Sequence, residues 1–158
     1  DKGVQEAMKA GIYAGYKMED VKVTLYDGSY HAVDSSEMAF KLAGSMAIKK
    51  AVEDAKPIVL EPIMNVDIAT PDEYLGTVIG DINSRRGKVL GMDQDTGSTN
   101  QKIEAMIPMV EMLTYANQLQ SMTAGRGVFS MELATYEELP KHLTQKLVDE
   151  KQQGEEEA

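Results

Sequence analysis

At 158 residues the chain has room for one ordinary domain or two small ones, which excludes a large multidomain enzyme. It contains no cysteine and two histidines, so disulfides, thiolate zinc sites and cysteine nucleophiles are excluded and no metal site is expected. The 26 acidic and 16 basic side chains give a net charge of −10, which argues against a broad basic face for wrapping nucleic acid and leaves room only for a small local patch.

The chain opens on Asp1 with no signal segment, and Val4, Ala7 and Met8 already recur at helical spacing. This reads as a start inside a domain. Residues 11–16 form a Gly- and Tyr-containing connector. Val21, Val23 and Leu25 then alternate with polar or tyrosine neighbours, predicting a strand that ends in the turn Asp27-Gly28-Ser29. After a short loop, Asp34 is placed to cap a helix with Glu37 three residues on. That helix is expected to turn Met38, Leu42, Ala43, Met46 and Ala47 inward and to stop at Lys56-Pro57.

From Pro57 the punctuation is sharper. Met64, Val66 and Ile68 alternate as a strand with Pro62 near its beginning. Thr70-Pro71-Asp72-Glu73 has the form of a helix start, and Leu75, Val78, Ile79 and Ile82 complete an apolar stripe. Arg85 and Arg86 fall in its last turn, and Gly87 is expected to supply a left-handed exit. Residues 88–92 read as a second strand, 93–100 as a polar hairpin connection, and Ile103, Ala105 and Ile107 as the inward face of a third strand. A helix over 110–122 places Met112, Ala116 and Leu119 on one side, and Phe129, Met131 and Leu133 alternate as a fourth strand. The order βαββαβ is that of a ferredoxin-like split βαβ sandwich. Beyond it Leu139, Leu143 and Leu147 make a narrow helical stripe. This dissolves at residues 151–154 into an acidic end that is expected to be mobile. The fold class is thus α+β: a partial βαβ-type half-domain over 1–56, the ferredoxin-like sandwich over 57–137, and a terminal helix with its tail over 138–158.

Three places carry functional chemistry. His31 lies in a loop with Ser29, Tyr30, Asp34 and Ser35, where an imidazole serves as a solvated residue, a nucleic-acid contact or a general base. No nucleophile with an orienting acid accompanies it, so catalytic residues are not expected. Ser84-Arg85-Arg86-Gly87-Lys88 sets three cations at a helix end and a glycine bend, expected to be exposed. The arrangement suits phosphate contact, and it equally suits stabilisation of the helix end. Arg126, in Gly125-Arg126-Gly127, is weaker, because that turn leads into a strand and not a helix N-terminus. The eleven methionines fall mostly on inward stripes, and no P-loop occurs.

The segment Asp27-Gly28-Ser29-Tyr30-His31-Ala32-Val33-Asp34-Ser35-Ser36-Glu37 closely resembles bacterial translation elongation factor G. Leu60-Glu61-Pro62-Ile63-Met64, the stretch from Val78 to Gly87 and Thr123-Ala124-Gly125-Arg126-Gly127 are similar to later parts of that factor, so the likeness is collinear over 2–147. The resemblance implies the C-terminal half of the fourth domain, the fifth domain, and a terminal helix packed back on the fourth. It implies a ribosome-binding region that promotes GTP-dependent translocation of tRNA and mRNA in the cytoplasm. His31, with Ser29, Tyr30, Asp34 and Ser35, would contact tRNA in the decoding site. Ser84, Arg85, Arg86 and Lys88 would contact large-subunit RNA near the sarcin-ricin loop and stalk base, with Arg126 as a weaker contact. On this reading the chain is not itself an enzyme and carries no cofactor. GTP and magnesium would belong to a GTPase domain of the parent, whose remaining domains are further partners; no membrane partner is implied. Ala32, Leu113-Thr114, Gln120 and Ala124 depart from the family's usual residues. They keep open a paralogue specialised for recycling, ribosome rescue or ribosomal protection; a free-standing ferredoxin-like ligand-binding module is the reading from a different class.

Overall fold

The computed structural model describes residues 1–94 and 100–156, with side chains described through 154. Most of the expected hairpin connection, and the last two residues of the tail, therefore lie outside the described residues. The chain divides into two compact units, one formed by residues 1–59 with 139–158 and the other by residues 60–138.

In the second unit the alternating apolar residues build one antiparallel sheet with strand order β2-β3-β1-β4. The strands are β1 (Leu60–Pro71), β2 (Lys88–Gln94), β3 (Asn100–Pro108) and β4 (Val128–Glu138). Two helical crossovers, α3 (Leu75–Ser84) and the pair α4 (Met109–Met112) with α5 (Tyr115–Met122), complete the expected βαββαβ order. In the register, Val66 faces Ala105 on β3 and Met131 on β4, and Ile68 faces Ile103 and Phe129. Met64, Val66, Ile68, Ile103, Ala105 and Ile107 thereby share one sheet face. Val78 and Ile82 of α3, Met112, and Tyr115 and Leu119 of α5 close over them. Each large apolar side chain sealed in this way contributes about 1.5–3 kcal/mol. Pro62 is tolerated in a central strand because it pairs only with Tyr136 of β4; pairing with β3 begins one residue later, at Ile63.

Several local expectations are corrected. Thr70 does not cap a helix: β1 runs on to Pro71, a 3₁₀ turn follows at Asp72–Tyr74, and α3 starts at Leu75. Pairing of Thr70 with Gln101 and of Pro71 with Asn100 on β3 outcompetes the local capping signal. The left-handed exit from α3 is taken by Arg86, at φ 59°, and not by Gly87. Gly87 is needed for another reason, since a Cβ there would lie 2.7 Å from both Ile82 Cγ2 and the Ile82 carbonyl oxygen. The single helix expected over 110–122 is broken at Leu113-Thr114, and its inward residues include Tyr115 where Ala116 was expected.

The first unit has the α1 helix (Lys2–Ala10), the α2 helix (Glu37–Asp54) and the α6 helix (Lys141–Glu156). α1 packs closely on α2, and a Cβ on Gly3 would lie 2.0 Å from the Lys41 carbonyl oxygen. Glu6 and Lys41 pair across them at 2.8 Å. The core is small: Ala7, Ile48 and Val52 are buried, with Val4, Met8, Ile12 and Met18 against them. The strand expected over 21–26 is absent, because none of the described strands pairs with it and an isolated extended segment has no ladder to join. The cap of α2 is Ser36, whose Oγ accepts the Ala39 N–H at 3.1 Å, and not Asp34. Its buried face runs through Ile48 and Val52, whereas Met38, Leu42 and Met46, expected inside, are exposed. α6 continues through residues 151–154, where the stripe was expected to dissolve; Glu, Gln and Lys favour helix without needing a buried face. Leu139 and Val148 are buried, and Leu143 and Leu147 half-buried.

Candidate functional site: a loop and a cation cluster

The loop before α2 is closed by its own residues. The His31 N–H donates to Ser35 Oγ at 2.8 Å, and the Ser35 N–H returns to the His31 carbonyl at 3.0 Å. Residues 32–34 form the turn between them, and the next serine caps the helix, so three consecutive elements hold one another. Just upstream, the Gly28 N–H donates to Asp27 Oδ1 at 2.7 Å. This backbone closure leaves the larger side chains outward. Tyr30 is 75% exposed and Val33 93% exposed, Ser29, His31 and Asp34 are exposed, and Ser35, whose Oγ accepts the His31 N–H, is half-buried. The His31 imidazole has no hydrogen-bond partner among the described residues, and no acid orients it as a base would require.

Tyr26, 95% exposed, is a functional candidate that sequence reasoning missed, because it was read as part of a strand. The loop has no cation between Lys22 and Lys41, while Asp27, Asp34 and Glu37 are acidic. Its chemistry is therefore stacking and hydrogen bonding, and not phosphate neutralisation.

The 84–88 cluster differs from expectation. Arg85 is 8% exposed. Its Nε donates to Asp81 Oδ2 at 2.6 Å, Nη1 to the Glu111 carbonyl at 2.6 Å, and Nη2 to Asp81 Oδ1 at 3.2 Å and to Gln118 Oε1. Its guanidinium also lies over the Tyr115 ring, 4.9 Å from the centroid. Arg86 is half-buried and makes a bidentate pair with Glu61, at 2.6 and 2.9 Å, with a third bond to Glu111 at 3.2 Å. Bonding to Glu61, the largest influence, holds its pKa above the ordinary value. Ser84 Oγ donates to the Asp81 carbonyl at 2.7 Å. The expected exposed trio of cations thus reduces to Lys88, which is exposed and has no ion-pair partner among the described residues. The reason is tertiary: Glu61, Glu111 and Gln118 come from β1, α4 and α5, and no spacing within 84–88 announces them.

Arg126 is likewise engaged, with Nη2 donating to Glu73 and, at 2.6 Å, to the Tyr74 hydroxyl, and its guanidinium 4.9 Å from the Tyr74 ring centroid. Of the departing residues, Gln120 donates Nε2 to the Gly127 carbonyl at 2.9 Å and Ala124 adopts φ 50°, so both shape the turn into β4. A cleft of 440 Å³ in the first unit is bordered by Ala7, Ile12, Val52, Pro57 and Lys151. Lys151 Nζ donates there to the carbonyls of Gly11 and Ile12, at 2.8 and 3.0 Å, and none of the residues singled out from sequence borders it. No helix among the described residues is long and apolar enough to cross a membrane.

Comparison with known proteins agrees with this architecture. Residues 1–56 match the family described as elongation factor G, domain IV, and residues 58–147 match elongation factor G C-terminus. A crystal structure of a Thermus thermophilus protein is similar, with 40% identity and a TM-score of 0.78 over 96% of this chain; the chain spans 23% of the length of that one. With more than half its length in the C-terminal match and the rest of the framework in the domain IV match, the chain belongs to the elongation factor G family.

Proposed function

We propose that this chain is the ribosome-engaging region of a translational GTPase that promotes movement of tRNA and mRNA, and that it works by contact geometry. GTP hydrolysis, with its magnesium, is assigned to another part of the parent protein. The observation that carries the reading is the self-closed loop at 29–35, which presents Tyr30 and His31 outward from a capped helix. Such groups suit exposed bases and 2′-hydroxyls of the decoding site, where aromatic stacking on one base contributes about 1–3 kcal/mol. On the 60–138 unit, Lys88, with the neighbouring Arg86 held against Glu61 and Glu111, is assigned to large-subunit RNA near the sarcin-ricin loop and stalk base. Ser84, Arg85 and Arg126 shape the surface around them.

The test is a comparison of Tyr30→Ala and His31→Ala in the full-length parent. Translocation is expected to slow by roughly tenfold, the equivalent of about 1.4 kcal/mol, with GTP turnover on ribosomes unchanged. Because the loop has no cation, the defect should persist across salt concentrations, unlike a loss of phosphate contacts. An equal loss of GTP turnover and translocation would refute the assignment.

A further inference from the structure

β4 is an edge strand: it pairs with β1 and with no other described strand, so every second N–H and C=O along it points away from the sheet. The other edge is blunted. β2 has seven residues, an irregularity between Val89 and Gly91, and charges of both signs at Lys88 and Asp93. β4 has eleven residues and no proline. Its register shift between Ile63 and Met64 leaves Ala134 as the extra residue, so Val128–Leu133 remains an uninterrupted ladder.

Phe129 packs half-buried on the core, its ring 5.1 Å from that of Tyr115, and the rest of the ladder is open on both faces. Phe129, Met131 and Leu133 lie opposite the core residues Ile68, Val66 and Met64, yet Met131 is 43% and Leu133 53% exposed. On the other face stand Val128, Ser130 and Glu132. The strand carries three glutamates, Glu132, Glu137 and Glu138, and no lysine or arginine.

We propose that the β4 edge is a docking site for an extended basic segment of a partner protein, which adds as a fifth strand. Its alternate apolar residues would extend the Phe129-Met131-Leu133 row. Its lysines or arginines would lie across from Glu132 and continue toward Glu137, which the register places on the same face, with Glu138 adding charge at the strand end, since neighbouring strands sit only about 4.8 Å apart and cross-strand charges interact. Charge decides between occupants. A second copy of β4 would bring glutamates against glutamates, and RNA would meet the same repulsion, whereas a basic strand supplies both the ladder and the opposite charge.

The experiment adds two synthetic octapeptides, one alternating Lys and Val and the other Glu and Val, to the 158-residue chain and follows amide exchange by NMR. The Lys-Val peptide is expected to slow exchange of the outward amides of Val128–Leu133 by about tenfold or more while β2 is unchanged. The Glu-Val peptide should leave both alone. Combined Glu132→Lys, Glu137→Lys and Glu138→Lys, all at exposed positions, should reverse the preference; the corresponding Gln variant, checked for native far-UV circular dichroism, should weaken it. Several results overturn the proposal: no slowing at β4, equal slowing by both peptides, or equal slowing at β2. Protection of β4 in the chain alone also overturns it, as self-pairing where it grows with concentration and as coverage by another part of the chain where it does not.

Discussion

Residues 29–35 and 84–88 have similar sequences in one respect: each is a short polar stretch beside a helix end, and each offers groups that suit RNA. The folded chain treats them oppositely. The loop at 29–35 satisfies its backbone locally, through Ser35 and Ser36, and leaves Tyr30 and His31 outward. The 84–88 stretch turns its two arginines inward, where Arg85 ties α3 to α4 and α5 and Arg86 ties β1 to α4. The units beneath them differ in the same sense. Among the described residues the hydrophobic cluster of the second contains eleven buried residues and that of the first three.

The largest expected effect tests the cores. Ile82→Ala, at a fully buried site between α3 and the sheet, should cost about 3–5 kcal/mol. Ile48→Ala, in the smaller core, should cost about 2 kcal/mol, because a partly open site collapses more easily. Urea unfolding followed by a probe in each unit measures both, and equal losses would erase the contrast.

Next comes the inward arginine. Arg85→Ala leaves Asp81, Gln118 and the Glu111 carbonyl without their donor and should destabilise the second unit by about 2–4 kcal/mol, Asp81 keeping some access to water. Lys88→Ala should change stability by less than about 0.5 kcal/mol while weakening ribosome association of the parent. If Lys88→Ala proved the more destabilising of the two, the division between structural and available cations would fail.

The smallest effect concerns Tyr115, whose hydroxyl is buried without a partner. Burial first, then the Asp81 charge, pushes its pKa up to about 12 from 10.0, with Arg85 opposing. The folded chain therefore holds the phenolic proton more tightly than the unfolded chain. The stability this contributes is intact below pH 10 and is lost as pH rises from 10 to about 12, a change of about 2 kcal/mol. Tyr115→Phe should remove that slope with little cost at neutral pH, since no hydrogen bond is lost. A slope unchanged in Tyr115→Phe would assign it to other groups.

The sequence by itself determined the order of elements in the second unit. Alternation in 60–71, 100–108 and 128–138, separated by 3.6-residue stripes, gives the βαββαβ order, and the apolar faces of β1 and β3 are buried together under the helices. It also placed a short polar loop before α2, although the cap is Ser36 and not Asp34 and the His31–Ser35 closure appears only in the folded chain. Tertiary structure decided whatever depended on partners distant in sequence. Val21, Val23 and Leu25 alternate like a strand and find no strand to pair with. Met38, Leu42 and Met46 look like a core face and are exposed, since α1 packs on the Lys41, Gly44 and Ile48 side of α2 instead. Thr70-Pro71 reads as a cap and is held as strand by pairing with Gln101 and Asn100 of β3. Arg85 and Arg86 look like an open cationic patch, and the carboxylates that neutralise them include Glu61 and Glu111, both 25 residues from Arg86. Short-range hydrogen bonding and periodicity are written in adjacent residues; charge pairing and burial are set by which distant elements the core brings together.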